Sequence, residues 1–443
     1  MTVGVVAEYN PFHLGHAYHI RKIREAFGND TRIIAVMSGH YTARGDVAIA
    51  DKYTRAAAAI LGGVNLVLEL PFPFSGEHAA VFARSAVHIL RQFEVDVISF
   101  GSECGEIPPL QNAARLSGNQ TYAEALRTAE KHNKDGFPKT ADSFFRQSFG
   151  AGGSVPFRSP NDLLGMEYIK AAEALDFSVV FHTVKRNGDP HDTESVSSGV
   201  PSAAAIRKLF LTGQTEKAMT FLPESTRSLY RTVAGYGLFP SRPERLDAPV
   251  LSYFCINSPS DAAIADAGGG LSERLFRKAV EASGIDHLVT LTATKKYTKS
   301  RIRRAIRNIV FGVTSSDIQA LPGYTQILAF DAIGQAILKE RKPRDDFSVL
   351  TKPSDLSSLS PVAKRQKKMA DIADALYTLC LPKPAERDLF LRCSPFRKSA
   401  NPDENFFPSS FVEGIDKNSG KEVSCGQKPY LPSTPKRKEN SIV

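Results

Sequence analysis

The sequence predicts an α/β fold, a doubly wound parallel sheet with a mostly helical C-terminal domain. Apolar runs of strand length recur near residues 5, 34, 67 and 98, each followed by a helical pattern or by a loop leading to one. That alternation is the mark of a parallel sheet with crossover helices. A further run, Phe177 to Val184, follows another helical stretch, and beyond Arg207 the pattern turns mostly helical.

The first strand is carried by Val3, Val5, Val6 and Ala7, and Asn10-Pro11 halts it because proline donates no ladder hydrogen bond. Beyond Gly15, the residues Ala17, Tyr18, Ile20 and Ile23 recur at helical spacing, so His13-Leu14-Gly15-His16 sits where a strand hands over to a helix. Such a helix start is expected to offer unpaired N–H groups and the positive end of a macrodipole, with Gly15 leaving a phosphate room to approach the backbone. Two histidines three residues apart can point at one α-phosphate and stabilise the charge that develops as pyrophosphate leaves. Satisfied surface histidines are the plainer alternative, and a zinc pair is disfavoured because Asn10-Pro11 before the pair is no metal signature. The strand-turn-helix setting favours the phosphate.

The second strand, Thr31 to Ser38, leads into Gly39-His40-Tyr41-Thr42-Ala43-Arg44-Gly45-Asp46. There Arg44 reads as a phosphate or carboxylate clamp, or as a solvated loop arginine. Asp51 to Arg55 opens an alanine-rich helix that ends at Gly62-Gly63, and the third strand, Val64 to Leu70, is stopped by Pro71 and Pro73. An amphipathic helix from Ala79 and a fourth strand ending at Gly101 repeat the pattern. Ligands of such sheets bind beyond the carboxyl ends of the strands, so His13 to His16, Ser38 to Gly45, Glu69 and Gly101-Ser102 are expected on one rim. Glu69 reads as a ribose or metal ligand, or as a cap on a neighbour. Residues Leu110 to Ala151 are helical and polar, and Ser159-Pro160-Asn161-Asp162 starts a helix that Ser159 or Asn161 is expected to cap. Arg186 follows the fifth strand, on the same rim, and Ser202 is placed as the N-cap of a helix carrying Ile206 and Arg207.

His-x-Gly-His on a strand-to-helix turn, followed in order by Ser-x-x-x-Ile-Arg, resembles the nucleotidyltransferase superfamily, with its Rossmann-like fold. More widely, AEYNPFHLGHAYHI, VMSGHYTARGD, DKYTRA, LVLELPFPFS, GFPKTADSFF, PNDLLGMEYIKA, VKRNGDPHD and PSAAAIR resemble the bacterial tRNA(Met) cytidine acetate ligase family, through most of residues 1 to 390. The resemblance implies an enzyme that joins acetate to ATP, without acetyl-CoA, and passes the acetyl group to N4 of the wobble cytidine of elongator tRNA(Met). It implies catalytic roles for His13, His16 and Arg207. It implies ATP held by Ala7, Glu8, Tyr9, Asn10, Pro11, Phe12, His13, Leu14, Gly15, His16, Ala17, Tyr18, His19 and Ile20, and by Gly101, Asn161, Arg186 and Ser202. The family's usual Gln-Arg-Gly is Ala43-Arg44-Gly45 here, which keeps Arg44 and loses a glutamine amide. Mg²⁺ is expected on the triphosphate, because P–O cleavage needs charge neutralised. The competing expectation is a nucleotidyltransferase that adenylates a small phosphorylated metabolite and never meets RNA.

Lys plus Arg outnumber Asp plus Glu, 56 to 47, which gives +9 and favours a polyanionic partner. Lys295 to Arg307, KKYTKSRIRRAIR, gathers Lys295, Lys296, Lys299, Arg301, Arg303, Arg304 and Arg307, while Ile302, Ile306, Ile309 and Val310 form an apolar stripe. One face is expected to pack and the other to meet tRNA phosphates, with Tyr297 stacking on an unpaired base; a plain solvated face is the alternative. The cysteines Cys104, Cys255, Cys380, Cys393 and Cys425 stand singly, so neither disulfides nor a zinc cage is expected, and idle thiols are. The sequence shows no signal peptide and no run of about 18 apolar residues, so a cytoplasmic, non-membrane protein is expected. Nothing points to a protein partner. The expected organisation is a catalytic domain over 1–215, a helical, basic, tRNA-binding domain over 216–395, with Ser354 to Ser360 and Lys364 to Lys368 in a loop, and a disordered polar tail over 396–443.

Overall fold

The computed structural model describes residues 1–43, 45–118, 159–186, 201–260, 263–343 and 346–399. Arg44, most of the Leu110–Ala151 stretch, the segment after Arg186 and the polar tail from residue 400 lie outside the described residues.

Strands β1 (Thr2–Ala7), β2 (Arg32–Ser38), β3 (Leu66–Leu70), β4 (Val97–Ser102) and β5 (Val180–Lys185) form a parallel sheet in the order β5-β4-β1-β2-β3. Period-two burial shows why. In β2, Ile33, Ala35 and Met37 enter one core, while Ile34 and Val36 enter the other. A strand apolar on both faces needs helices on both sides. On the first side lie α1 (Leu14–Phe27) and α2 (Lys52–Leu61); on the second lie α3 (Ala79–Arg91), α4 (Ile107–Gly118) and α5 (Pro160–Ala174). The helix α6 (Ala203–Leu211) adds Ile206 and Phe210 to the first side. Helix α2 is buried from Lys52 through Ile60, which its alanine run permits. Its C-cap, Gly62, must be glycine, since a Cβ there would stand 2.3 Å from the Phe12 ring.

The chain runs outward from β1 through β2 to β3 and then returns to place β4 on the other side of β1. The crevice beyond the carboxyl ends of β1 and β4 is therefore the topological switch point, where sheets of this kind bind ligands.

The expected boundary near residue 215 does not hold as a clean break. A helical lobe with its own core does form, from Leu246, Val250, Phe254, Leu271, Leu275, Leu288, Ile302 and Ile306. The chain then rejoins the sheet. Strand β6 (Tyr324–Phe330) pairs antiparallel with β3, and β7 (Ser348–Leu350) and β8 (Phe396–Arg397) pair with β6. Lys364 to Lys368, expected in a loop, fall within the helix Pro361–Tyr377, whose Tyr377 packs into the first core. An edge strand left open at β3 would expose its backbone groups, and β6 covers them. Among the described residues no helix is long and apolar enough to cross a membrane.

Candidate active site

The turn after β1 is held from several directions. Tyr9 carries a positive φ of 45°, rare for a bulky residue. Phe12 is fully buried, and the ring of Tyr9 meets those of Phe12 and His16 edge-on at 4.9 Å each. The Asn10 side chain accepts from the Ile49 N–H at 2.8 Å, and its carbonyl accepts from Arg207 Nη1 at 2.9 Å. The second motif thus reaches back to the first. Ser202, expected as the N-cap of α6, accepts from the Ala205 N–H at 3.1 Å.

His13 is the N-cap of α1. Its Nδ1 accepts from the Gly15 N–H at 3.0 Å, and the His16 Nδ1 accepts from the His13 N–H at 3.2 Å. The Leu14 N–H donates to the Phe221 carbonyl at 3.0 Å, and the His16 N–H to the His13 carbonyl at 2.9 Å. The expectation of unpaired N–H groups at this helix start is therefore corrected, because imidazole nitrogens and carbonyls already occupy them. A chemical consequence follows. An Nδ1 that accepts from the backbone carries no proton, so each neutral ring holds its proton on Nε2. The two rings lie 3.9 Å apart, centroid to centroid, with the positive end of α1 behind them.

Two buried cations of α2 organise the strand ends. Arg55 donates to the backbone carbonyls of Ala50 at 2.9 Å, Glu8 at 2.6 Å, Ser38 at 3.1 Å and Gly39. One planar guanidinium thereby joins the ends of β1 and β2. Lys52 Nζ meets both carboxylate oxygens of Glu69 at 2.9 Å and Asp374 Oδ2 at 2.6 Å, while Asp374 Oδ1 accepts from His40 Nδ1 at 2.7 Å. Burial opposes the charge of Asp374, but Lys52 and His40 outweigh it and hold the carboxyl well below its usual range. Burial keeps His40 low, against the pull of Asp374, and keeps Glu69 raised despite Lys52. Glu69 is the partner of a buried ammonium rather than a ribose or metal ligand.

Across the crevice, the register Val5↔Ser99 carries Ala7 and Gly101 to one level two residues on. The stem of Arg186 lies over Gly101, where a Cβ would come within 3.4 Å of Arg186 Cγ. Asn161 does not cap α5; its Nδ2 donates to Glu103. Nor does Ser159 make a side-chain cap bond. The organiser here is Asp162, which accepts from the N–H groups of Glu103 at 3.0 Å and Cys104 at 3.3 Å, and from the hydroxyls of Ser102 and Ser159. Beneath Gly101 runs a chain from His19 Nε2 to Ser99 Oγ at 2.8 Å and on to His182 Nδ1 at 3.0 Å. Burial, with His182 adding to it, lowers His19 to about 4.

The basic stretch departs most from expectation. In the helix Lys299–Phe311, Arg307 is 4% exposed, pairs with Glu77 and donates to the Gly76 carbonyl. Tyr297 is 6% exposed with its hydroxyl on the Gly269 carbonyl, so neither residue is placed to touch RNA. Arg304 pairs with Asp266 at 2.6 Å, Arg301 donates to the carbonyls of Asp266 and Gly268, and Arg303 lies 2.7 Å from Asp286 and 3.5 Å from Asp46. Lys295, Lys296 and Lys299 are exposed. The helix also meets the rim loop, since a Cβ on Gly45 would stand 3.3 Å from the backbone of Arg303 and Arg304.

Sequence reasoning missed Arg55, Lys52, His40, Asp162 and Asp374. Four of them lie in segments that carried the resemblance, His40 in VMSGHYTARGD, Lys52 and Arg55 in DKYTRA and Asp162 in PNDLLGMEYIKA, whereas Asp374 lies in none. The thiols of Cys104, Cys255, Cys380 and Cys393 are free, and burial pushes Cys380 up to about 12. Among the described residues no group of three or more His, Cys, Asp or Glu is placed to hold a metal ion.

The family model described as HIGH Nucleotidyl Transferase matches residues 1–389. A tRNA(Met) cytidine acetate ligase of Acetivibrio thermocellus is 32% identical over 403 residues, covering 87% of this chain and 96% of the relative. One from Listeria monocytogenes is 32% identical over 383 residues, covering 85% and 94%. Apo TmcAL of Thermotoga maritima superposes with a TM-score of 0.80 at 30% identity, over 87% of this chain and 96% of that one. TmcAL bound with alpha-thio ATP does so with a TM-score of 0.79 at 29% identity, over 90% and 100%. With the paired histidines at the switch point and near-complete coverage in both directions, this chain belongs to the tRNA(Met) cytidine acetate ligase family of HIGH nucleotidyl transferases.

Proposed function

We propose that the chain is a cytoplasmic tRNA-modifying ligase. It activates acetate with ATP in the crevice between β1 and β4 and passes the acetyl group to N4 of the wobble cytidine of elongator tRNA(Met). The relatives it matches are named for that ligation, and one neighbour's structure is bound with an ATP analogue. The observation that carries the reading is the pair of capped histidines, His13 and His16, whose Nδ1 atoms accept from the backbone at the start of α1.

In the first step an acetate oxygen attacks the α-phosphorus, the bond from that phosphorus to the bridging oxygen breaks, and pyrophosphate leaves. Negative charge rises on the α-phosphate oxygens and on the leaving oxygen. The two Nε2–H donors and the dipole of α1 are preorganised to meet it. Arg207, tied to the Asn10 carbonyl, brings a cation to the same turn, and Arg186, over Gly101, brings one from the end of β5. Gly101 and Asn161 flank the nucleoside on the β4 side. Mg²⁺ enters with the triphosphate as part of the substrate. In the second step cytidine N4 attacks the acetyl carbonyl carbon, AMP departs with the C–O electrons, and N4 loses a proton. Lys295, Lys296 and Lys299 meet the phosphates of the tRNA.

Acetate-dependent exchange of pyrophosphate into ATP, without tRNA, tests the first step. Exchange with acetate supports the reading. Adenylation of a phosphorylated metabolite, with no exchange in acetate, would replace it.

A further inference from the structure

The base of the rim loop is held by a residue near the far end of the chain. His40 and Asp374 are 334 positions apart, and both are buried. A buried ion network is not a stabilising device by default, since apolar residues of similar volume often serve as well. What such a network fixes is geometry. The ionised Asp374 takes the proton-bearing Nδ1 of His40, so the neutral ring has no proton on Nε2, and that buried atom has no hydrogen-bond partner among the described residues. The polar orientation of the ring therefore depends on Asp374. Its stacking depends on Tyr377, parallel to within 18° at 4.0 Å, from the same helix Pro361–Tyr377.

His40 begins the loop that reaches the turn after β1. Farther along it, the Ala43 N–H donates to Glu8 Oε1 at 3.0 Å, while Gly45 packs on the basic helix. Arg55 fixes the main chain at Ser38 and Gly39, and Asp374 fixes the His40 side chain one residue on. We propose that Asp374, acting through His40, is a positioning residue for ATP and acetate: the helix Pro361–Tyr377 holds residues 39–43 where Glu8 meets them. The proposal rests on the adenylation reading of the rim.

The test uses the full chain with Asp374→Asn, His40→Ala and His40→Asn. Asp374→Asn leaves Lys52 with both oxygens of Glu69, so no buried ammonium is stranded. His40→Asn keeps an N–H donor for Asp374, and His40→Ala does not. ATP affinity by calorimetry, kcat and KM for acetate in pyrophosphate exchange, and tRNA affinity are read together. Asp374→Asn and His40→Ala are expected to weaken ATP binding and lower exchange kcat/KM by about tenfold or more. tRNA affinity stays unchanged, and His40→Asn recovers part of the loss. A folded Asp374→Asn protein with wild-type ATP affinity and exchange would overturn the proposal. So would a His40→Asn protein as impaired as His40→Ala, and that pair decides the matter if Asp374→Asn does not fold. Wild-type protein that binds ATP but shows no acetate-dependent exchange would remove the acetate reading, while ATP affinity would still judge the positioning role.

Discussion

The turn His13–His16 and the helix Lys299–Phe311 were both conspicuous in the sequence, and the structure treats them in opposite ways. At the turn, the polar groups that mark the motif cap a helix, and doing so leaves each imidazole with its proton on the nitrogen not used by the backbone. In the helix, most guanidinium groups are already engaged by carboxylates and carbonyls of neighbouring segments. The first region turns its polar side chains onto its own helix start. The second is built largely to dock, and of its cations Lys295, Lys296 and Lys299 are the exposed ones, with Lys296 donating to the Gly269 carbonyl. Counting charges along a segment says little about which of them a partner can reach.

The largest effect that separates the two regions should come from Arg307. Arg307→Met strands the buried carboxylate of Glu77 and is expected to cost about 3–5 kcal/mol in chemical denaturation, with the salt dependence of tRNA binding unchanged. Unchanged stability with weakened tRNA binding would return Arg307 to the RNA face. His16→Ala should lower acetate-dependent pyrophosphate exchange by at least about 100-fold and leave tRNA affinity alone; a variant as active as wild type would take the histidines out of the mechanism. Replacing Lys295, Lys296 and Lys299 together by Gln should do the reverse. Exchange stays intact, while the slope of log affinity against log salt becomes shallower by about 0.7–0.9 for each tRNA phosphate that is no longer neutralised. An unaltered slope would move the RNA surface elsewhere.

The smallest effect concerns His19, which burial lowers from 6.5 to about 4. The folded state resists protonating it, so its contribution to stability is complete above pH 6.5 and is lost as pH falls from there toward about 4. Thermal melts across that window should decline less steeply in His19→Asn. The depressed carboxyl of Asp374 also loses its contribution as pH falls, but only from the ordinary carboxylate range downward, so it enters at the acid end of this window.

What could be read in advance followed local chemistry. Strands β1 to β5 were legible because apolar runs of strand length ended at Pro, Gly or a turn, and the His13–His16 turn because strand, breaker and helical spacing adjoin. Strand β6 was not, since its pairing with β3 joins segments that nothing local relates. The link of Lys52 to Asp374 spans 322 positions, and the partners that bury Arg307 and secure Arg304, namely Glu77 and Asp266, lie outside the basic segment. Even the correctly placed helix start was misjudged in detail, because a His at an N-cap looks like a ligand and also acts as a cap.

The central claim is that this crevice makes an acetyl-adenylate for tRNA. The most direct measurement is mass spectrometry of tRNA(Met) after incubation with the chain, ATP, Mg²⁺ and acetate, beside an acetate-free control. A single acetyl on cytidine that requires acetate, and that His16→Ala abolishes, is the predicted result. Unmodified tRNA, with AMP transferred instead to a small acceptor, would contradict it.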